Sequence, residues 1–427
     1  MNIENISSFE IDLGASGSRC VTEGGKIFTL PNNMVMLNTM EPTNLRIEDE
    51  TLENNLEVKI SKTEGDNSAT FFPTNVLIGT MAEKYRIASE RPSMNLAKHK
   101  QKINYVSTIV SCAIDRIEHG ADENLELYIA VPPIEVYEAE KAFETHLLGK
   151  YEVEFPRYKG GIKTVVNLVA VHCYEESLMA LTSFLFNLNG TVKESSRQYI
   201  AKTILSLDIG ASTSDVAIMK NGRYIDKSGR TWKIGGNIVR DIVIDMVSQK
   251  YGIELSFEDA DIAVAEGRIQ QGVNHIDISD ILYEAKYEFA KALIAQMQAY
   301  FKRIGIDINS IHAIVISGGG SVQSQYVDDN NEVVKTSEPM SFYVTQELKQ
   351  WAPGIVVIHY GEEPRFANAK GLFIKAMFEK MKRAKESQAS VAAETATQTE
   401  HSATNAVIPE ETKEETAESV PTNTAII

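Results

Sequence analysis

The chain carries one short loop twice, as Asp12-Leu13-Gly14-Ala15-Ser16-Gly17-Ser18 and as Asp208-Ile209-Gly210-Ala211-Ser212-Thr213-Ser214. Apolar residues precede each copy, which predicts a β-strand that enters a tight turn. Glycine lets the backbone approach an anion, and successive N–H groups and hydroxyls can donate hydrogen bonds to its oxygens. Two such loops facing each other would close on a nucleotide polyphosphate from both sides.

Each copy of the loop begins with an aspartate, Asp12 or Asp208. A carboxylate beside bound phosphates can hold Mg²⁺ through water, because this ion keeps several waters and takes few protein ligands. The alternative is a turn aspartate that accepts hydrogen bonds from its own loop, which is common beside glycine and serine. The duplication favours the first interpretation, so we predict metal contacts through water at both aspartates.

Further segments occur in a fixed order around the second loop. Segment 169–177 (VAVHCYEES) predicts a strand followed by the start of a helix, with two acidic residues, Glu175 and Glu176, at the junction. Segment 234–237 (IGGN) predicts a glycine pair that opens a helix. Segment 314–321 (IVISGGGS) predicts an apolar strand ending in a glycine run, which can lie flat against a base and a ribose.

Taken together, these motifs resemble those of the actin, Hsp70 and sugar-kinase superfamily. Segment 366–371 (FANAKG) resembles the start of the last helix of plasmid-segregation actins such as ParM. The resemblance covers about residues 8 to 383 and includes five elements in the same order. It implies an actin-like α/β fold, with two similar domains, a smaller subdomain inserted in each, and a nucleotide in the central cleft.

The resemblance also implies domain boundaries. We expect a first domain over 1–198, with an inserted small subdomain at 31–95, closed by a C-terminal helix at 364–383. The second domain is expected over 199–363, with an inserted helical subdomain at 233–307.

The last segment, 384–427, differs in composition from the rest of the chain. It is rich in Ala, Ser, Thr and Glu and has almost no aromatic residue. Such a segment buries too little apolar surface to offset the chain entropy lost on folding, so we predict a disordered tail.

Nucleotide-binding roles follow from the resemblance for residues of both loops and of the glycine motifs. The set is Gly14, Ala15, Ser16, Gly17, Ser18, Arg19, Gly210, Ala211, Ser212, Thr213, Asp215, Gly235, Gly236, Asn237, Ser317, Gly318, Gly319 and Gly320. Arg19 stands where filament-forming relatives commonly have a lysine that reaches the β- and γ-phosphates, and a guanidinium is bulkier than an ammonium. Asp215 would lie near the γ-phosphate or serve as a cross-strand partner.

The resemblance assigns catalytic roles to Asp12, Asp208 and Glu175. Glu175 would position or deprotonate the attacking water, since phosphoryl transfer asks the protein mainly for positioning and electrostatic stabilisation. Its neighbour Glu176 is the alternative, because the family usually has a proline before this acid and the chain has Tyr174. Both glutamates also suit a helix start, where the helix dipole favours negative charge.

Composition limits the classes of function that remain. The 427 residues exceed the size of one hydrophobic core, and a net charge of −17 argues against direct nucleic-acid binding. Cys20, Cys112 and Cys173 match no zinc-site spacing, so we expect small core residues in a reduced compartment. With no signal peptide and no run of ~18 apolar residues, a cytoplasmic protein without membrane contact is expected.

The predicted function is therefore that of an ATPase using ATP/ADP and Mg²⁺, which polymerises into a dynamic filament. Hydrolysis would drive segregation of plasmid or phage DNA through a basic DNA-binding adaptor protein. Two alternatives stay open, a non-polymerising ATP-dependent regulator and a sugar or acid kinase of the same superfamily. No residue of the first half singles itself out as the base that such a kinase needs.

Overall fold

A computed structural model describes residues 6–37, 51–52, 56–65, 75–83, 89–93, 95–328, 330–361 and 363–403, with side chains described as far as residue 389. Over these residues the chain forms two α/β domains. Each is built on its own large sheet and main hydrophobic core, and a third cluster packs residues 180–186 and 367–374 against the second sheet.

The first domain contains a mixed sheet of nine strands. In chain order they are β1 (Ile6–Leu13), β2 (Gly17–Thr22), β3 (Ile27–Pro31), β4 (Met34–Met36), β5 (Glu57–Glu64), β6 (Asn75–Ile78), β7 (Asn124–Val131), β8 (Gly149–Phe155) and β9 (Ile162–Glu175). Their spatial order is β3-β2-β1-β7-β9-β8-β5-β6-β4. Because β1, β7 and β9 are parallel, their carboxyl ends lie at one edge of the sheet.

Strands β4, β5 and β6, from the segment where a small inserted subdomain is expected, join the sheet through β8 at the first half of β9. Strand β5 pairs with β8, and β6 pairs with both β5 and β4. Strand β9 pairs with β8 over residues 162–168 and with β7 over residues 167–175, so the two parts of the sheet overlap on β9 only at Asn167 and Leu168. These strands therefore form a separate part of the sheet, and the subdomain boundaries at 31–95 stay a prediction.

The helices of the first domain are α1 (Thr80–Glu83), α2 (Lys102–Ile114), α3 (Val136–Leu147) and α4 (Glu176–Leu185). Helix α2 is buried along nearly its whole length, with Tyr105 and Ile109 in the same core as Phe9 and Ile11 of β1. It continues through one π-helical turn to Gly120, whose φ of 75° ends the helix in the left-handed region.

The second domain repeats the arrangement of β1 and β2. Its main sheet contains β10 (Thr203–Ile209), β11 (Ser214–Lys220), β12 (Arg223–Tyr224), β13 (Arg230–Trp232), β16 (Ala313–Ser317) and β19 (Val356–His359). Two hairpins lie outside that sheet, β14 (Arg268–Gln271) with β15 (Asn274–Asp277) and β17 (Ser324–Val327) with β18 (Val333–Ser337). The helices are α5 (Gly236–Tyr251), α6 (Phe257–Glu266), α7 (Ser279–Ile304) and α8 (Met340–Trp351).

The last helix, α9 (Ala367–Ala403), packs across β1, β2 and β7 of the first sheet and along α4. Helices α9 and α4 approach each other closely at Gly371, where an added Cβ would lie 1.9 Å from the carbonyl oxygen of Met179. Glycine is required there, because any side chain would push the two helices apart.

The structure differs from the prediction of a disordered tail over 384–427. Residues 384–403 continue α9, and the side chains of 384–389 are exposed, while 404–427 lie outside the described residues. Alanine, glutamate, glutamine and lysine favour helix, and extending an existing helix avoids the cost of a new nucleus. The exposed side chains of 384–389 agree with the composition, whereas the backbone of 384–403 is helical rather than irregular.

Candidate functional site

A cavity of about 490 Å³ lies between the two domains, where the strands that precede the two repeated loops end. Both copies of the loop line it, together with the glycine run after β16 and the start of α5. The predicted site residues that line this cavity are Asp12, Gly14, Ala15, Ser16, Arg19, Asp208, Gly210, Ala211, Ser212, Thr213, Gly236, Asn237, Gly318, Gly319 and Gly320.

Other predicted residues lie behind the cavity wall. They are Gly17, Ser18, Asp215, Gly235 and Ser317. Gly235 precedes α5, and an added Cβ there would lie 2.5 Å from the carbonyl oxygen of Ala211. Ser18 is fully buried in β2. These residues shape or support the cavity wall.

Asp208 is held by hydrogen bonds to both carboxylate oxygens. The Ser317 hydroxyl donates to Oδ1 at 3.2 Å, and Asn368 Nδ2, from the first turn of α9, donates to Oδ2 at 2.8 Å. Burial raises the pKa of Asp208, and these two donors oppose that rise. Gly318 must be glycine here, because its φ is 85° and an added Cβ would lie 2.3 Å from Asp208 Oδ1.

Asp215 is the cross-strand partner of Asp208 on β11. It is 1% exposed, and its carboxylate accepts hydrogen bonds from Thr231 Oγ1 at 2.6 Å and from Thr213 Oγ1 at 2.9 Å. Burial raises its pKa to about 7, while the two hydroxyls and Lys98 lower it and Asp208 raises it further. Asp215 therefore lies directly beneath the second loop.

Asp12 faces two basic side chains across the cavity floor. Its carboxylate lies 3.6 Å from Lys98 Nζ and 4.0 Å from Arg19 Nη1. Arg19 Nη1 also lies 3.3 Å from the carbonyl oxygen of Gly17, to which it donates a hydrogen bond. The guanidinium thus packs against the first loop itself, and an added Cβ on Gly14 would lie 2.3 Å from it.

The structure places the two candidate acids, Glu175 and Glu176, on different sides of the chain. Its side chain does not line the cavity, and Glu176 does. Glu175 Oε1 accepts a hydrogen bond from the Tyr224 hydroxyl at 2.8 Å, and Glu175 Oε2 is buried without a partner among the described residues. The chain changes from strand to helix at this point, and successive side chains leave a strand on opposite sides. The two glutamates therefore point to different sides, and an alignment that is shifted by one residue exchanges their roles.

Glu176 forms an ion pair inside the cavity with Lys98, a residue that the sequence did not indicate. Burial alone would lower the pKa of Lys98, but the carboxylates of Glu176 and Asp12 raise it above its ordinary value. Burial raises the pKa of Glu176, and Lys98 opposes this. The ammonium therefore remains charged between two acidic groups, one on β1 and the other at the start of α4.

Nothing in the sequence around Lys98 marks it, since it is one of two lysines in Lys98-His99-Lys100. Arg365 also lines the cavity from just before α9 and was not predicted. Asn368, which contacts Asp208, lies within segment 366–371, so the resemblance contained a signal for it.

The acidic groups suit a metal ion held through water molecules better than one coordinated directly by side chains. No group of three or more His, Cys, Asp or Glu side chains that could hold a metal ion occurs within the described residues. Asp12 and Asp208 both line the cavity, and the donors on Asp208 fix its orientation. Mg²⁺ prefers oxygen ligands and retains waters, so two carboxylates beside bound phosphates fit this ion.

No helix within the part of the chain that the structure describes is both long and apolar enough to span a lipid bilayer. The three cysteines, Cys20, Cys112 and Cys173, are free and buried.

Comparison with known proteins identifies the fold. Residues 206–325 match the family model described as the C-terminal part of the MreB-like archaeal actin homologue. No curated protein matches the chain by sequence.

Solved structures are similar over most of the chain. The actin-like protein Alp7A is 16% identical, with 90% of this chain and 100% of that chain covered and a TM-score of 0.67. A ParM from a 15-stranded Clostridium botulinum filament is 15% identical, with 86% and 98% covered and a TM-score of 0.61. Bacillus thuringiensis ParM with ATP is 18% identical, with 88% and 100% covered and a TM-score of 0.60. The chain therefore has the actin-like fold of two α/β domains, as the resemblance of its motifs implied.

Proposed function

We propose that this protein is an actin-like ATPase that binds Mg-ATP in the interdomain cavity and assembles into dynamic filaments. The observation that carries the proposal is the convergence of both copies of the loop, each with its aspartate, on one cavity. A cavity of about 490 Å³ lies within the usual range for small-ligand sites, roughly 300–1,000 Å³. Two structural neighbours support it, since one is a ParM with ATP and another is a ParM filament.

Each loop contributes backbone N–H groups and hydroxyls that can donate to phosphate oxygens. Gly318, Gly319 and Gly320 line the same cavity without side chains, which leaves room for a base or ribose against the backbone. The water-held Mg²⁺ would neutralise phosphate charge when bound. Asp12 and Asp208 would hold its water ligands.

We propose Glu176 as the group that positions the attacking water, because its carboxylate lines the cavity and Glu175 is turned away. Lys98 and Arg19 together balance the charges of Glu176 and Asp12, so both carboxylates can approach an anionic ligand. Glu175 has a different role in this proposal. Its bond to Tyr224 connects the first domain to the second beside the site.

Filament assembly and hydrolysis would serve the segregation of plasmid or phage DNA in the cytoplasm. A net charge of −17 disfavours direct DNA contact, so a basic adaptor would connect the filament to its cargo. Three free buried thiols suit a reducing compartment.

The test is light scattering and pelleting with Mg-ATP, with Mg-ADP and without nucleotide, combined with phosphate release and negative-stain microscopy. We expect filaments and phosphate release with Mg-ATP, and loss of both in Asp208→Ala, which removes a carboxylate from the metal site. ATP hydrolysis without assembly would favour a non-polymerising regulator. Normal filaments in Asp208→Ala would contradict the site.

A further inference from the structure

Lys98 lies on a segment with little regular structure, between residue 95 and the start of α2, apart from one 3₁₀ turn at Lys98–Lys100. Its backbone is nevertheless held on both sides. The Lys98 N–H donates to Glu135 Oε2 at 2.8 Å, and the Lys98 carbonyl accepts from Asn104 Nδ2 at 2.9 Å. The ammonium is thus aimed from a backbone position that other residues fix.

Asn104 is itself connected to the first repeated loop. Its Oδ1 accepts from Asn32 Nδ2 at 3.2 Å, and the same Asn32 nitrogen donates to the carbonyl oxygen of Gly14 at 2.9 Å. The Ser107 hydroxyl donates to Asn32 Oδ1 at 2.7 Å. A line of side-chain amides therefore runs from the loop to the lysine backbone.

The orientation of the two side-chain amides is fixed by the carbonyl groups at the two ends of this series of hydrogen bonds. The carbonyl groups of Gly14 and Lys98 can only accept, so each must face an amide nitrogen. Asn104 Oδ1 therefore faces the second hydrogen of Asn32 Nδ2. Turning either amide around would break at least one of these hydrogen bonds to Gly14, to Lys98 or between the two asparagines. Asn32 is 2% exposed and Asn104 is 1% exposed, so water does not compete for these groups.

We infer that Asn32 and Asn104 are positioning residues that hold the ammonium of Lys98 in register with the first phosphate loop. The inference rests on the proposed ATPase function for its catalytic consequence. Loop and lysine come from segments about eighty residues apart, and both line the cavity proposed to hold the phosphate chain. A fixed bridge between them places the positive charge before the ligand arrives.

Replacing Asn104 and replacing Asn32 should have different kinetic effects. Asn104 borders the cavity but is only 1% exposed, and it contacts Lys98 but not the loop. Its loss therefore misplaces the ammonium and lowers kcat with little change in KM. Asn32 also holds Gly14, so its loss disturbs phosphate binding and changes both quantities.

The test compares Asn104→Asp with Thr108→Val in the full-length chain. The aspartate keeps the size of the side chain but turns an oxygen toward the Lys98 carbonyl. Thr108 is a matched control, because it is buried on the same helix and donates only to the Asn104 backbone carbonyl at 2.7 Å. We expect kcat for phosphate release to fall about 10- to 100-fold in Asn104→Asp and to stay unchanged in Thr108→Val.

A double-mutant cycle with Lys98→Met separates positioning from a general loss of stability. If Asn104 acts through Lys98, Asn104→Asp has no further effect on kcat once the ammonium is gone. A full additional loss in the double variant would overturn the inference.

Hydrogen–deuterium exchange of the protein without nucleotide supplies a readout independent of hydrolysis. Uptake over 95–101 should rise in Asn104→Asp and not in Thr108→Val. Unchanged uptake in Asn104→Asp would overturn the inference whatever the activity. Absence of hydrolysis in the wild type would refute the proposed function, whereas raised uptake would still support the bridge.

Discussion

Three consecutive side chains at the junction of β9 and α4 reach three parts of the molecule. The Tyr174 hydroxyl donates to Glu379 of α9, Glu175 accepts from Tyr224 of the second domain, and Glu176 pairs with Lys98 in the cavity. Three neighbouring residues therefore contact the C-terminal helix, the second domain and the cavity. Substitution at each should produce a different defect.

Glu176→Gln should slow phosphate release by about 10²-fold, the usual size of a general-base or water-positioning effect. Glu175→Gln keeps the size of its side chain outside the cavity and should leave the chemical step intact. Single-turnover phosphate release at saturating Mg-ATP measures both variants. Slow phosphate release in Glu175→Gln with normal release in Glu176→Gln would instead assign the catalytic role to Glu175.

Glu10 should make the folded protein less stable as pH rises. Its side chain is fully buried on β1, both oxygens lack a partner among the described residues, and burial raises its pKa from 4.5 to about 8. The folded state therefore keeps a proton that the unfolded chain releases above pH 4.5. Stability attributable to this group falls between pH 4.5 and 8, by at most about 1.4 kcal/mol per pH unit.

Glu10→Gln removes this titration and keeps the shape. The urea midpoint of the variant should rise relative to wild type as pH increases from about 5 to 8. Glu144→Gln, an exposed change on α3, is the control and should show no such trend. A constant difference between Glu10→Gln and wild type across this range would mean that Glu10 does not titrate with folding.

At the scale of elements, α9 contacts both the site and the far part of the first sheet. Its first turn supplies Asn368 to Asp208, and further along Arg383 forms two hydrogen bonds of 2.6 Å with the carboxylate of Glu126 on β7. Glu126 also accepts from the Tyr128 hydroxyl. The same helix thus contacts the aspartate of the second domain and the sheet of the first domain.

Arg383→Met should destabilise the protein by about 1–2 kcal/mol, because it leaves the carboxylate of Glu126, which is 10% exposed, without its charged partner. The half-exposed guanidinium keeps the effect modest. Lys382→Met is the matched control, since this neighbour is 76% exposed and its ion pair with Glu386 is long. Equal unfolding midpoints for the two variants would show that the Arg383 pair does not anchor α9.

The chain beyond Ala389 should be dispensable for nucleotide binding and assembly. A chain ending at Ala389 keeps every described side chain, including Arg383, and should hydrolyse ATP normally. It removes the acidic cluster Glu410, Glu411, Glu414, Glu415 and Glu418, whose repulsion between neighbouring filaments is strongest at low salt. Bundling of the truncated filaments should therefore exceed that of the full chain at low ionic strength. Failure of the truncated chain to assemble would make the segment part of the folded unit.

At the scale of the molecule, the fold was predictable because its signals are local. Glycine and aspartate at Asp12–Ser18 and Asp208–Ser214 report backbone turns directly, and strand patterns flank both. The site was only partly predictable. Lys98 reaches it from a segment distant in sequence, and the orientation of Glu175 against Glu176 depends on where β9 ends. Such facts depend on tertiary packing, which no local pattern contains.

The two strands at opposite ends of the order of the first sheet, β3 and β4, are neighbours along the chain. Only Asn32 and Asn33 separate them. The Asn32 N–H donates to the carbonyl oxygen of Ser16 at 3.3 Å, and the Asn33 carbonyl accepts from the Gly79 N–H at 3.0 Å, just after β6. A two-residue connection spans at most about 11 Å from the end of β3 to the start of β4, so β4 lies close to the first phosphate loop. A displacement of that loop on phosphate binding would therefore pass directly to β4 without crossing the sheet.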